Sequence, residues 1–238
     1  MKKNASMPFL SDTNQLDPNA FLDTFFVESN CTLFGWGPVL LYPAHTEILR
    51  HDTPANAVYF IHRGLVKLTW MDENGHEVIA GLRHQQWLIG APSVLLGKAY
   101  SFTVTTLSDC TLRCISAKNF IHLVKTHTEF SWQLNRILCH EIINHGNRLV
   151  MLGCMPAKSR LKKLLCKFFG DMHKPSDLRN KIKIQLPLNH KELAQIVAVT
   201  PEHLSRLLKE LEIQGVIKRE KDGLILLDLS NLRQDCHS

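Results

Sequence analysis

No stretch of the 238-residue chain approaches the ~18–20 consecutive apolar residues needed to cross a bilayer, so no membrane partner is expected. Met1-Lys2-Lys3 runs into polar residues, without the apolar segment of a secretory signal. Cysteine is scarce and scattered: the total of seven is odd, and only Cys31 precedes residue 100. That distribution does not build a secreted disulfide framework, and a cytoplasmic protein is expected. Catalytic signatures are missing as well. There is no P-loop, no Gly-x-Ser-x-Gly nucleophile turn and no His-Glu-x-x-His zinc helix, so no enzyme is expected. What is left, 45% hydrophobic and 21% charged, is ordinary for globular domains, and the length allows two cores.

Charge is unevenly spread. Residues 1–156 hold 12 basic and 12 acidic side chains, whereas residues 157–238 hold 16 basic and 10 acidic. The whole net charge of +6 therefore sits in the last third. Clustered basic residues displace the counterions condensed on DNA and give salt-sensitive affinity. An excess of this size also serves solubility, so charge is supporting evidence for a nucleic-acid partner.

The same third contains a helix-turn-helix pattern between Leu186 and Arg219. Asn189 is placed to cap a first helix, and Glu192 three residues later completes a capping box. Leu193, Ile196 and Val197 make its buried face. The chain turns through Ala198 and Val199, where alanine in place of the more usual glycine costs about 1 kcal/mol. Thr200-Pro201 then opens a second helix with an N-cap followed by proline at the first helical position. Leu204, Leu207, Leu208 and Leu211 face inward, and Glu202, Ser205 and Arg206 share the opposite stripe. Arginine can donate two hydrogen bonds to guanine, glutamate can accept from cytosine, and serine can serve a base edge or a phosphate. A merely solvated row, with Glu202 complementing the helix dipole, is the plainer alternative. The placement on the second helix of a capped pair favours base reading. Thr200, His203, Lys191, Lys209 and Lys218 complete the expected DNA-binding set, with the lysines near phosphates.

The remainder reads as an α+β protein: an N-terminal jelly-roll β domain, a long dimerisation helix and a C-terminal winged helix-turn-helix. Residues 1–28 form an N-terminal arm with a short helix from Phe21 to Phe26. Residues 29–127 form the β-roll, with strands over Ala57–Arg63, Leu65–Trp70, Glu77–Leu82, Trp87–Ile89, Ser101–Thr106 and Thr111–Ile115. Asn74-Gly75 marks a hairpin turn. Residues 128–155 hold the long helix, whose Leu138, Ile142, His145, Leu149 and Leu152 alternate by four and three as a short coiled-coil seam. Pro156 opens the last domain, 156–238. There an amphipathic helix over Arg160–Phe169 and a strand over Lys183–Leu188 are predicted, with a wing hairpin from Gly215–Arg219 and Gly223–Leu229.

This order resembles the CRP/FNR family of bacterial transcription regulators over about residues 38–230. The resemblance is carried by Tyr59-Phe-Ile-His-Arg-Gly-Leu-Val-Lys-Leu68, Asp72-Glu-Asn-Gly-His-Glu77, Trp87-Leu-Ile-Gly90, Glu192-Leu-Ala-Gln-Ile-Val197 and Thr200-Pro-Glu-His-Leu-Ser-Arg-Leu-Leu208. It implies a homodimer whose recognition helices enter successive major grooves of a palindrome, about 34 Å apart. It also implies RNA polymerase as a partner. Glu202, Ser205 and Arg206 match the Glu-x-x-Ser-Arg pattern of the FNR-like branch, which reads TTGA-type half-sites. The catabolite-activator branch has a further arginine before the glutamate, where this chain has Pro201. A TTGA…TCAA palindrome is therefore expected over a TGTGA one.

The resemblance places an effector pocket around Ile89, Gly90, Ala91, Tyr100 and Ser101. Cyclic-AMP binders of the family follow Ile-Gly with glutamate and later use Arg-Ser on the phosphate, whereas this chain has Ala91 and Tyr100-Ser101. A buried phosphate without its arginine loses its strongest bonds, so cyclic AMP in the usual pose is not expected. An iron–sulfur cluster, which takes four thiolates, is not expected either. Cys110 and Cys114 lie ~13 Å apart at strand rise, and Cys139, Cys154 and Cys166 read as small core residues. Cys154 near the helix end is a lesser candidate for a redox contact across the two-fold axis. Thirteen histidines raise haem or metal, but no His-x-x-x-His or Cys-x-x-Cys pair appears with a third ligand. His140 and His145 share no helix face well. The effector stays unnamed, and no metal site is expected. The alternative function is a haem, small-molecule or redox sensor whose C-terminal domain binds protein rather than DNA.

Overall fold

A computed structural model describes residues 36–172, 182–184, 186–220, 223–228 and 232. The expected N-terminal arm, the helix from Phe21 to Phe26, Cys31 and the Lys221-Asp222 tip of the wing lie outside the described residues. The chain divides into two compact units, and along the sequence the boundary falls between His145 and Gly146.

Among the described residues the first unit is a β-roll of eight antiparallel strands in two sheets. Strands β1 (Trp36–Tyr42), β8 (Cys110–Ser116), β3 (Ala57–Arg63) and β6 (Leu88–Ile89) neighbour one another in one sheet. Strands β2 (Glu47–Leu49), β7 (Thr103–Thr106), β4 (Val66–Met71) and β5 (Glu77–Arg83) make the other. The β4–β5 hairpin turns at Asn74-Gly75, as the dipeptide predicts. Asp72 Oδ1 accepts from the Asn74 and His76 amides at 2.9 and 2.8 Å, and Gly75 supplies a positive φ of 81°. Apolar residues from both sheets, among them Ile61, Leu68, Val104 and Leu112, form one buried core.

Among the described residues three helices accompany the β-roll: α1 (Ala91–Leu96), α2 (Ala117–Thr126) and α3 (Thr128–Cys154). α1 and α2 are absent from the sequence expectation, which runs from strand to loop. Ser116 caps α2 by accepting from the Asn119 amide. Phe120, Phe130, Leu134 and Ile137 pack with Val58, Phe60 and Val94 as a second core, with the Phe120 and Phe130 rings edge to face. Leu138 of the expected seam is partly buried against this same core.

The second unit holds α4 (Ala157–Met172), α5 (His190–Val197) and α6 (Pro201–Ile213), with a three-stranded sheet β10 (Ile217–Glu220), β11 (Gly223–Leu226) and β9 (Ile182–Ile184). β9 is shorter than the predicted strand because Leu186 and Pro187 have already left it for the turn before Asn189. Leu161, Leu165, Leu193, Leu204, Leu208 and Leu211 are buried, so the predicted inward faces of the bihelical motif are the observed ones. The capping box is complete: Asn189 Oδ1 accepts from the Glu192 amide at 2.9 Å, and Glu192 Oε2 accepts from the Asn189 amide at 2.9 Å.

α5 ends at Ala198 with φ 57° and ψ 57°, a left-handed conformation. The Ala198 amide donates to Gln195 O at 3.1 Å and the Val199 amide to Ala194 O at 3.0 Å. That pair of bonds closes the helix end as a Schellman motif, a position where glycine escapes the Cβ penalty. Ala198 is exposed, so its methyl contributes little packing. Ala198→Gly is expected to stabilise the protein by about 0.5–1 kcal/mol, the relieved strain exceeding the added unfolded-state entropy. Denaturant unfolding that showed a loss of stability would contradict this account of the turn.

Candidate nucleic-acid interface

The outward stripe of α6 starts at its cap. Thr200 Oγ1 accepts from the His203 amide at 3.2 Å, and Pro201 occupies the first helical position. With Leu204, Leu207, Leu208 and Leu211 buried, Glu202, Ser205, Arg206 and Lys209 are left exposed on the other face. The Glu202 carboxyl is held below the usual carboxylate range by hydrogen bonds from its own amide and the Thr200 hydroxyl, helped by the Arg206 charge. It therefore stands at the helix N-terminus as an anion, able to accept hydrogen bonds but not to donate them. Arg206 is exposed, one helical turn from Glu202 and close enough for its charge to act on that carboxylate.

One neighbour of this stripe comes from α5. His190 Nε2 lies 3.1 Å from Ser205 Oγ, across fifteen residues of sequence, so the first turn of α5 and the middle of α6 meet at the exposed surface. Lys191 is exposed beside it. His203 is half-buried, and Lys218 on β10 is exposed with Glu220 at 3.7 Å. Glu212 ties the end of α6 to β10: it accepts from the Arg219 amide at 3.0 Å and from Arg219 Nε at 2.9 Å. The structure thus gathers Glu202, Ser205 and Arg206 on one face, with His190 added, and leaves His203 partly inside.

Nothing in the spacing points to the residue that holds the turn between the helices. Arg160, on α4, donates from Nε to Val197 O at 2.9 Å and from Nη2 to Ala198 O at 3.2 Å. Its Nη1 donates to Met155 O at 2.7 Å. The Val197 and Ala198 carbonyls close α5, where helical partners run out and the dipole is negative, so a guanidinium suits them.

Two family descriptions match this chain. A cyclic nucleotide-binding domain matches residues 39–127, and a Crp-like helix-turn-helix domain matches residues 159–235. The cAMP-activated global transcriptional regulator CRP of Salmonella typhimurium is 24% identical over 186 residues, covering 78% of this chain and 87% of that protein. The global nitrogen regulator of a Nostoc species is 27% identical over 178 residues, covering 71% and 75%. Among solved structures, a CRP/FNR-family regulator of Thermus thermophilus superposes with a TM-score of 0.70 at 21% identity, covering 84% of this chain and 99% of that one. FixK2 of Bradyrhizobium japonicum gives 0.67 at 20% identity, covering 82% and 95%. The chain belongs to the CRP/FNR family of transcription regulators. That family consists of regulators, not enzymes.

The CRP/FNR β-roll of this chain contains a cavity of about 90 Å³. Ile89, Gly90, Tyr100 and Ser101 line it, but Ala91 does not. The chain enters α1 directly after Gly90, so Ala91 packs in the core with Val58, Phe60 and Phe120. Tyr100 fills space beside Gly90: a Cβ on that glycine would come within 2.9 Å of the Tyr100 ring and 3.0 Å of Ala57 O. Its hydroxyl donates to Ala57 O at 2.7 Å and accepts from the Ala57 amide at 3.0 Å. Burial raises the Tyr100 pKa. Arg83, Trp87, Glu141 and His145 also line the cavity; His145 stood in the expected dimer seam. Arg83 Nη2 donates to Glu141, and His145 Nε2 lies 3.7 Å from Glu141 Oε1.

The cysteine expectation needs correction. Cys139 and Cys154 are exposed and Cys166 is half-buried, whereas Cys110 is buried. Cys139 and Cys154 lie on the outward side of α3, where period rather than residue type decides exposure. Among the described residues no group of three or more His, Cys, Asp and Glu side chains converges as a metal site.

Removing Arg160 by substitution with Met leaves the carbonyls at the end of α5 without their charged donor. A loss of about 2–3 kcal/mol in unfolding free energy is expected, with weaker DNA binding but unchanged base preference. A variant with wild-type stability would show that the turn does not depend on this side chain.

Proposed function

We propose that this CRP/FNR protein binds DNA as a homodimer and reads a TTGA…TCAA palindrome through α6. The observation that carries the reading is the exposed row Glu202, Ser205 and Arg206 on a helix whose opposite face is fully buried. Such a helix cannot roll within the unit, so the three side chains present one fixed pattern. Arg206 donates to guanine and Glu202 accepts from cytosine, the two partners available in the major groove of a TTGA half-site and its complement. Ser205 assists, and its contact with His190 holds the hydroxyl in place. Thr200 and His203 flank the row. Lys191, Lys209 and Lys218 supply the phosphate contacts that fix register.

A second copy is supported by α3. Ile142, Ile143, Leu149 and Val150 are 49–72% exposed, and they recur seven residues apart on one side of the helix. Gly146 and Gly153 interleave with them and have no atom within 4 Å of an added Cβ. Burying this stripe against its equivalent in a partner removes apolar area from water and lets the two backbones approach. The stripe shares Ile142 and Leu149 with the expected seam of Leu138, Ile142, His145, Leu149 and Leu152, and Leu138 and Leu152 are half-buried in the monomer. RNA polymerase is a partner by the family resemblance, and the β-roll cavity is the place for an effector. No observation favours a C-terminal unit that binds protein instead.

Arg206→Ala is expected to weaken binding to a TTGA…TCAA duplex by about 1–3 kcal/mol and to relax discrimination at one base pair. Quantitative footprinting that protected TGTGA sites alone, or a variant with unchanged discrimination, would overturn the assignment. Ile142→Asp combined with Leu149→Asp is expected to yield a monomer in sedimentation equilibrium. A dimer that survived both substitutions would place the interface elsewhere.

A further inference from the structure

The cavity in the β-roll has an unusual cation. Arg83 ends β5 and is about nine-tenths buried, with its guanidinium 4.8 Å over the Trp87 ring. Gly81, two residues earlier on the same strand face, makes room for it: a Cβ there would lie 2.6 Å from Arg83 Nη1. Nη1 donates to Leu82 O at 3.0 Å, and Nη2 donates to Glu141. Nε, however, is buried without a hydrogen-bond partner. In a guanidinium the Nε and Nη2 hydrogens point the same way and form the fork that takes both oxygens of a carboxylate. Glu141 occupies half of that fork. The other half is an orphaned buried donor, covered in this arrangement, on a residue that lines the cavity.

We infer that the cavity binds a small organic carboxylate, whose two oxygens complete the Nε/Nη2 fork of Arg83 and displace Glu141 from it. The inference rests on the reading of the β-roll as the effector unit. Three features select the ligand class. The charge and geometry of the fork call for a planar two-oxygen anion. Leu49, Leu68, Ile89 and Val104 give the cavity apolar walls, which suit a short hydrocarbon body better than a bare inorganic ion. At about 90 Å³ the space is well below the ~300–1,000 Å³ of pockets that enclose larger ligands, and it does not accommodate a nucleotide.

Displacement gives the ligand a route to the helix. Glu141 and His145 are one turn apart on α3, and Glu141 joins that helix to β5 through Arg83. A carboxylate that captures Arg83 releases this tie and leaves Glu141 facing His145. The ligand therefore exchanges an internal ion pair for an external one, and the hold of β5 on α3 changes with occupancy. Differential contacts of this kind let a ligand bias one arrangement over another.

The test is calorimetric titration of the full-length protein with sodium butyrate and sodium succinate, with sodium phosphate as the comparison. At least one carboxylate should bind saturably at millimolar concentration or below, and phosphate at least tenfold more weakly. Arg83→Met should abolish the binding. Glu141→Gln, which weakens the internal competitor and keeps the shape, should tighten it about tenfold and so remains informative if the Arg83 variant does not fold. Absence of saturable binding to both wild type and Glu141→Gln overturns the inference, as does carboxylate affinity unaltered by either substitution. Duplex binding measured on the same preparations separates the two readings. If it persists while carboxylates fail, only the ligand class is lost; if it is absent while carboxylates bind, the DNA reading fails instead.

Discussion

The three hydrogen bonds of Arg160 organise the helix-turn-helix unit. A helix-turn-helix needs its second helix held at a fixed angle to the first, yet the turn between them ends one helix with unsatisfied carbonyls and a left-handed residue. Here the Schellman bonds of Ala198 and Val199 satisfy two of the carbonyls internally. Arg160 satisfies those of Val197 and Ala198 from outside, and its third bond reaches Met155 O just beyond the end of α3. One side chain on α4 thereby couples the start of this unit to the turn. The exposed row on α6 inherits its orientation from that closure, from the buried leucines beneath it and from the Glu212–Arg219 clasp to β10.

Much of this unit was legible because it depends on local chemistry. Asn189 and Glu192 are a capping box in any sequence that continues as an amphipathic helix, and Thr200-Pro201 opens the next one. Inward leucines follow from period alone. Arg160 and His190 were not legible, since their partners are 37 and 15 residues away and no periodicity links them. The β-roll divides in the same way. The Asn74-Gly75 hairpin could be read directly, whereas α1 hides in an apolar run, Ala-Pro-Ser-Val-Leu-Leu, too short to display a helical period. That hidden helix is also why Ala91 faces the core rather than the cavity. Ser116 followed by Asn119 was a readable cap for α2, in a stretch where the strand signal dominates.

The cavity combines residues that the family resemblance points to with others that it does not. The residues that resemble the cyclic-nucleotide turn, Ile89-Gly90, still form the wall, but Tyr100 packs against Gly90 and bonds Ala57. The cation of the site comes from Arg83 on β5. Its counterion, Glu141, is 58 residues away on a helix, so no motif could announce the pair. A buried cation with half its fork engaged is an electrostatically demanding arrangement, and the space that Gly81 leaves for it shows that the strand accommodates it.

If the outward row of α6 reads a two-fold operator, the purified full-length protein selects that operator from a randomised duplex pool. Enrichment of an inverted repeat with TTGA half-sites is expected. Enrichment of TGTGA half-sites, of an asymmetric sequence, or of none would contradict it.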